Sequence, residues 1–269
     1  MEPVIRIEDL VKCYAGRGLG RHADAFAAVD SVSFSILPGT TLALVGESGS
    51  GKSTVALCVA CLERVTSGRI WFEGRDAATL PEKELRAVRP QIQLVFQDPA
   101  NALNPRWTVR EIVAEPLLVQ GRIPRSEREP LAAQALGRVG LGAEYLERKP
   151  AELSGGQRQR VAIARALIVE PKVLILDEVL SALDCSIQAQ IANLLMELQR
   201  AYGLAYLFIT HDLRMAAHLA DEIAVMSRGK IVEQGAAEQV VRSARHPETL
   251  SLLAASGMKS KQADAVWQP

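Results

Sequence analysis

Residues 46–54 read GESGSGKST, between a short apolar run, TLALV, and a second apolar stretch, VALCVACL. Gly46, Gly51, Lys52 and Ser53 satisfy the spacing G-x-x-x-x-G-K-[ST]. Glycines so placed let backbone N–H groups turn inward around a phosphate, a following helix N-terminus adds positive potential, and the lysine reaches the outer phosphates. Glu47, Ser48, Gly49, Ser50 and Thr54 complete the candidate cradle. The alternative is a plain glycine turn with a solvated lysine. Further along, VLILDE sets Asp177 and Glu178 after four apolar residues. A buried strand of that kind delivers two carboxylates to its C-terminal edge, where one suits a magnesium ion and its neighbour can polarise water. Taken alone, a strand-end Asp-Glu can equally be a structural cap.

These residues need a scaffold, and the flanking patterns describe one. VIRIEDLVKCY, AAVDSVSFSIL and TLALVG have strand character and lead into the glycine loop, and KSTVALCVACLERV follows at helical period. RIWFEG and IQLVFQ return to strand before Pro99. From about 98 to 155 the chain reads as a helical insertion, with Ser126 and Glu129 at capping-box spacing in SEREPLAAQALGRVGL. KVLILD resumes the sheet, SIQAQIANLLMELQRAYG is a long amphipathic helix ended by Gly203, LAYLFIT is a further strand, and EIAVMSRGKIVEQG is a hairpin turning at Arg228 and Gly229. Alternating strand and helix predicts an α/β fold with a parallel-sheet core. The tail GMKSKQADAVWQP reads as loosely ordered.

Composition narrows the function classes. With 269 residues the chain can bury a substantial core. Its 31 basic and 31 acidic side chains cancel, so a nucleic-acid partner has no global electrostatic support. Four cysteines include the pair Cys58 and Cys61, both placed on the predicted helix, and no second pair completes a zinc set, so packing is the reading preferred. No apolar run approaches the ~20 residues of a membrane crossing, which predicts a cytoplasmic chain that meets a membrane only through partners.

LSGGQRQRVAIARAL, residues 153–167, changes the scale of the inference. Ser154, Gly155 and Gly156 open a helix whose free N–H groups form a second anion site. With the phosphate loop, this run makes residues 4 to about 240 resemble the ATP-binding subunit of an ABC transporter. The resemblance implies a P-loop NTPase core with an antiparallel β subdomain and an α-helical subdomain, an ATPase domain over 1–240 and a C-terminal extension over 241–269. It also implies ATP and Mg2+ as ligands. Ser53, Asp177 and Gln97 of VFQDP then hold magnesium, Glu178 and His211 of LFITHD act with Gln97 and Lys52 in hydrolysis, and Tyr14 lies against adenine. Ser154 to Gln157, with Asp184 at the end of SALD, face nucleotide across a dimer. Each has a structural alternative: Gln97 a surface strand end, His211 a satisfied histidine, Tyr14 a packing residue. His22, His218 and His246 fall in no motif. Val179 and Leu180 follow Glu178 where the family often has proline, a departure that keeps both carboxylates.

FQDPANALNPRWTVREIVAEPL and HPETLSLLAA are similar to the ATPases of oligopeptide, dipeptide and nickel importers. The importer reading implies a second ATPase subunit, a copy or a paralogue, two membrane permeases, an extracytoplasmic solute-binding protein reached through them, and a peripheral place on the cytoplasmic face of the inner membrane. An exporter often carries a membrane domain in the same chain, and none is expected here. The stretch from Gly46 to Ser154 is too short for the coiled coil of repair ATPases, and one cassette is seen where translation factors usually carry two. Nickel import and a soluble ABC ATPase remain the alternatives. In the segment before Glu115, Asn104 to Trp107 form a polar and aromatic knuckle, with Trp107 expected to be exposed and Thr108 and Glu111 expected to cap the next helix.

Overall fold

The computed structural model describes residues 2–15, 26–98, 102–121 and 123–258. Pro99, His22 and the tail from 259 onward lie outside these. Two compact units are formed, Met1–Arg89 with Ala205–Pro269, and Pro90–Leu204. The first begins with β1 (Ile5–Tyr14), β2 (Phe26–Ile36), β3 (Thr41–Val45), α1 (Lys52–Val59), β4 (Ser67–Phe72), β5 (Arg75–Asp76) and α2 (Glu82–Val88). The second holds β6 (Ile92–Val95), α3 (Val109–Gln120), α4 (Arg125–Arg138), α5 (Gly155–Leu167), β7 (Val173–Asp177) and α6 (Cys185–Tyr202). The chain returns to the first with β8 (Ala205–Thr210), α7 (Leu213–Leu219), β9 (Glu222–Ser227), β10 (Lys230–Ala236), α8 (Ala237–Arg242) and α9 (Pro247–Ala255).

In the first unit β2, β1, β4 and β5 make an antiparallel sheet in that order, and β10, β9, β3 and β8 lie side by side. β3 runs parallel to both β8 and β9, and all five of its residues are buried, which explains why TLALV has no polar alternation. The β9–β10 hairpin turns where predicted. Arg228 and Gly229 both have positive φ, 47° and 83°, as a tight turn matched to strand twist requires. One expectation is corrected: α1 stops at Val59 rather than running on through Val65. Cys61 adopts φ 56°, and Leu62 and Glu63 both donate their N–H groups back to Leu57 O, which reverses the chain. Cys58 is therefore on the helix and Cys61 beyond it. Burial pushes each thiol up to about 11, in keeping with packing residues rather than reactive thiolates.

In the second unit β6 and β7 pair in parallel, from Ile92 opposite Val173 to Val95 opposite Leu176. α3, α4 and α5 pack on one another, and α5 also meets β6 and α6. α3 starts with the capping box foreseen at Thr108 and Glu111: Glu111 N donates to Thr108 Oγ1 at 3.3 Å, and Thr108 N to Glu111 Oε2 at 2.8 Å. The capping box predicted at Ser126 and Glu129 does not form. Pro124, with φ fixed near its ring value, is the last residue before α4, so Ser126 already lies inside the helix, and Glu129 pairs with Arg110 at 3.2 Å. α6 is capped by Asp184 at its start and by Gly203, where φ is 65°, at its end.

Candidate functional site

The first unit carries the phosphate loop. Parallel pairing sets Val45 opposite both Thr210 and Val225, so Gly46 and His211 leave the sheet at the same edge, each one residue beyond its strand. Two glycines are required there for different reasons. A Cβ on Gly46 would stand 2.1 Å from Met226 O, while Gly51 combines φ 105° with a Cβ position 2.2 Å from Ala28 O. The turn closes through Ser50 N donating to Glu47 O, and Val55 N donates to Gly51 O as α1 begins. Lys52 is buried, and its ammonium donates to Gly46 O at 2.8 Å, Glu47 O at 2.7 Å and Ser50 Oγ at 3.3 Å. A solvated lysine on a plain turn is therefore not what the sequence folds into. The cation is drawn inside the loop, and no side chain caps the start of α1. Glu47, Ser48, Gly49 and Ser53 are exposed, Thr54 half-buried and Ser50 buried.

His211 is exposed, and its neighbour Asp212 holds the turn: Asp212 accepts from Arg214 N at 2.8 Å to cap α7, and donates its own N–H to Thr210 Oγ1 at 3.0 Å. Tyr14 ends β1 directly across from Phe26. Both are open to solvent, 39% and 65%, and directly opposed strand residues present their side chains on one face, so the two aromatics are neighbours. Phe26 was not singled out from sequence, because the length of chain between it and Tyr14 leaves their register open.

The second unit carries the carboxylates and the signature. Val95 opposite Leu176 brings Gln97 and the Asp177–Glu178 pair out at one edge. Both carboxylate residues are half-buried. Glu178 has φ 49°, a left-handed conformation costly for a residue with a Cβ, of the kind that concentrates at functional sites. Its carbonyl is gripped twice, by Ser181 N at 3.1 Å and Ser181 Oγ at 2.9 Å, and Gln97 Nε2 donates to that same Ser181 Oγ at 3.3 Å. Ser181 thus links Gln97 to the backbone that aims Glu178, a role invisible without the fold. Val179 and Leu180 are both buried, so this loop is held by apolar packing where a proline is common elsewhere.

Ser154 is exposed and caps α5, accepting from Gln157 N at 3.3 Å while Gln157 Oε1 accepts from Ser154 N at 2.9 Å. Gln157 Nε2 then donates to Tyr145 Oη at 3.1 Å, so the glutamine side chain is spent on holding the turn. A Cβ on Gly156 would lie 2.7 Å from Ile187 Cγ2 and one on Gly155 3.5 Å from Leu183 Cδ2. The fold therefore brings LSGGQ and SALD side by side. Asp184 caps α6 by accepting from Ile187 N at 3.0 Å, which gives it a structural duty in addition to the one inferred from sequence.

The knuckle before α3 is ordered by Asn104, whose Oδ1 accepts from Arg106 N at 3.0 Å. Asn104, Pro105 and Arg106 are exposed, but Trp107 is half-buried, contrary to expectation, and its N–H donates back to Asn104 O. Arg165 on α5 donates to Ala102 O at 3.1 Å and pairs with Glu115 of α3 at 2.7 Å, fastening the signature helix to this segment. Among the described residues no helix is long and apolar enough to cross a membrane.

Residues 29–181 match the family model described as ABC transporter. The glutathione import ATP-binding protein GsiA of Escherichia coli (strain K12) is 47% identical over 256 residues, which are 94% of this chain and 41% of that protein. The chain thus spans about two fifths of the length of those relatives. The dipeptide transport ATP-binding protein DppF of the same strain is 43% identical over 95% of this chain and 77% of its own length. Among solved structures, the ATP-binding cassette MJ0796 bound to ADP and Pi aligns with a TM-score of 0.76 at 30% identity, covering 87% of this chain and 98% of that one. The cbiO1 protein from Clostridium perfringens, part of the ABC transporter complex cbiONQ, aligns at 0.78 and 29%, covering 95% and 96%. Likeness of this extent, on a chain that folds its glycine-rich loop around a lysine and opens a helix with LSGGQ, leads to one assignment: the chain belongs to the ABC transporter family, as one of its ATP-binding cassettes.

Proposed function

We propose that the chain is the ATP-hydrolysing subunit of an importer that carries peptides across the inner membrane, working from its cytoplasmic face. The observation that carries the ATP chemistry is the Lys52 cradle, a turn in which Gly46 and Gly51 admit no Cβ and whose cation is pinned inward. Likeness to DppF and GsiA, named for dipeptide transport and glutathione import, supports the substrate class and does not favour nickel import or a free-standing ATPase. The proposed partners are a second cassette, copy or paralogue, two permeases and a solute-binding protein acting through them. Residues 1–240 would form the ATPase domain and 241–269 an extension to it.

Within this reading Gly46 to Thr54 bind the phosphates of ATP, and Tyr14 stacks on the adenine. Glu178 takes a proton from the attacking water, Gln97 orients that water, and His211 donates to the γ-phosphate. Ser154 to Gln157 and Asp184 face the nucleotide held by the partner cassette. The oxygen donors Ser53, Asp177 and Gln97 suit a hard cation such as magnesium. When bound, magnesium would supply charge compensation at the phosphates. Completion of one nucleotide's shell by the partner's signature makes closure depend on ATP, because a ligand shifts an equilibrium only by its differential affinity for the two states.

The coupling contact is testable at the exposed end of the knuckle. Because Trp107 is half-buried, the exposed Arg106 is the cleaner target. Arg106→Glu should leave ATP affinity of the purified chain unchanged and reduce dipeptide uptake by the assembled transporter about tenfold or more, as expected of an interface anchor with its charge reversed. Uptake at the wild-type rate would remove this segment as the contact. Dipeptide-stimulated ATPase absent with every co-expressed permease pair would sink the importer reading.

A further inference from the structure

Lys12 is a lysine on β1 with only 8% of its surface exposed, in a position the nucleotide chemistry does not call on. Lysines are almost never buried to this extent unless paired. Its ammonium donates to Glu63 Oε1 at 2.5 Å and to Arg64 O at 2.7 Å, and stands 4.9 Å from the centroid of the Tyr14 ring. The Glu63 hydrogen bond holds it protonated above the ordinary lysine value, against the opposing effect of burial. Glu63 and Arg64 sit just past the turn that ends α1, and that turn is closed by the bonds from Leu62 N and Glu63 N to Leu57 O. The other end of α1 is the phosphate loop. The same segment is laced to β1 again, by Thr66 N donating to Val11 O and Cys13 N donating to Thr66 Oγ1.

We infer that Lys12 is a positioning residue for the nucleobase: it clamps one side of the Tyr14 ring and ties that ring, through Glu63 and Arg64, to the far end of the helix that begins at the phosphate cradle. A short helix is a rigid spacer, here about 12 Å at 1.5 Å per residue. A ring anchored to its end therefore keeps a set distance from the phosphates. An ammonium against a tyrosine face also restricts the ring's rotation, so less conformational freedom is lost when a base stacks. The inference rests on Tyr14 being the adenine platform, as proposed above.

The test compares ATP with inorganic triphosphate, which shares the cradle but has no base, on the full chain. Lys12→Met should weaken ATP about three- to tenfold, the range of a cation–π contact. It should leave triphosphate affinity unchanged, and raise KM for ATP with kcat unaltered. Lys12→Arg should restore most of the loss. If Lys12→Met does not fold, Glu63→Gln is expected to shift the same ratio about two- to threefold. Equal weakening of ATP and triphosphate, or an unchanged ratio, would overturn the inference and leave Lys12 a structural ion pair. Tyr14→Ala separates the two levels. If it changes the ratio while Lys12→Met does not, only the role of Lys12 fails; if Tyr14→Ala leaves the ratio at wild type, the base platform and the inference fall together.

Discussion

Glu178→Gln is expected to bind ATP with wild-type affinity and hydrolyse it about 10²–10⁴-fold more slowly, the contribution usual for a positioned acid–base group. The substitution is well suited to isolate chemistry from structure. Glu178 holds φ 49° through its own carbonyl, gripped by Ser181, and that grip does not involve the carboxylate. Glutamine has the same length and can occupy the same backbone conformation, so the loop should stand while the base is lost. A dimer closed on ATP should accumulate, detectable by size-exclusion chromatography with ATP and magnesium present. Turnover within threefold of wild type in the assembled transporter would remove Glu178 from the role of base.

Lys52→Ala and Ser154→Arg should fail in different assays. Removing the Lys52 ammonium abolishes charge-assisted hydrogen bonds to Gly46 O and Glu47 O as well as the charge offered to phosphate. A charge-assisted hydrogen bond from this ammonium to phosphate contributes about 1.5–3 kcal/mol, so ATP affinity of the isolated chain should fall by at least tenfold. Ser154→Arg removes a helix cap, costing the chain about 1 kcal/mol of stability, and places a bulky cation at an exposed turn. Its ATP affinity as a monomer should stay within twofold of wild type, while ATP-induced dimerisation and transport ATPase are lost. Equal loss of ATP affinity in the two isolated variants would contradict a signature that acts across an interface.

What could be read from the chain alone was what depends on short spacing. The phosphate loop, the strand-end carboxylates and the signature each fit within a few consecutive residues, where backbone geometry follows from residue type. Gly51 must tolerate φ 105°, and an all-apolar run such as LALV must be buried on both faces. The Thr108 cap was legible for the same reason, because both partners of a capping box are three residues apart; the equivalent box at Ser154 and Gln157 emerged only with the structure. The errors occurred where a local signal met a competing one. Ser126 has a cap's spacing, but Pro124 starts the helix before it; the period of VALCVACL continues past Val59, but the chain turns at Cys61.

Only the tertiary structure decided the contacts between residues distant in sequence. Strand register set Phe26 beside Tyr14, and Val45 beside Thr210, so that Gly46 and His211 share an edge. Packing brought Gly156 against Ile187, placed Ser181 between Gln97 and the Glu178 carbonyl, and buried Lys12 against Glu63. Single-residue patterns are silent on such pairs because each depends on register and loop closure, which the whole core determines once apolar burial has chosen among the alternatives. The kind of chemistry proposed thus rests on local spacing, and the contacts within each unit on the fold.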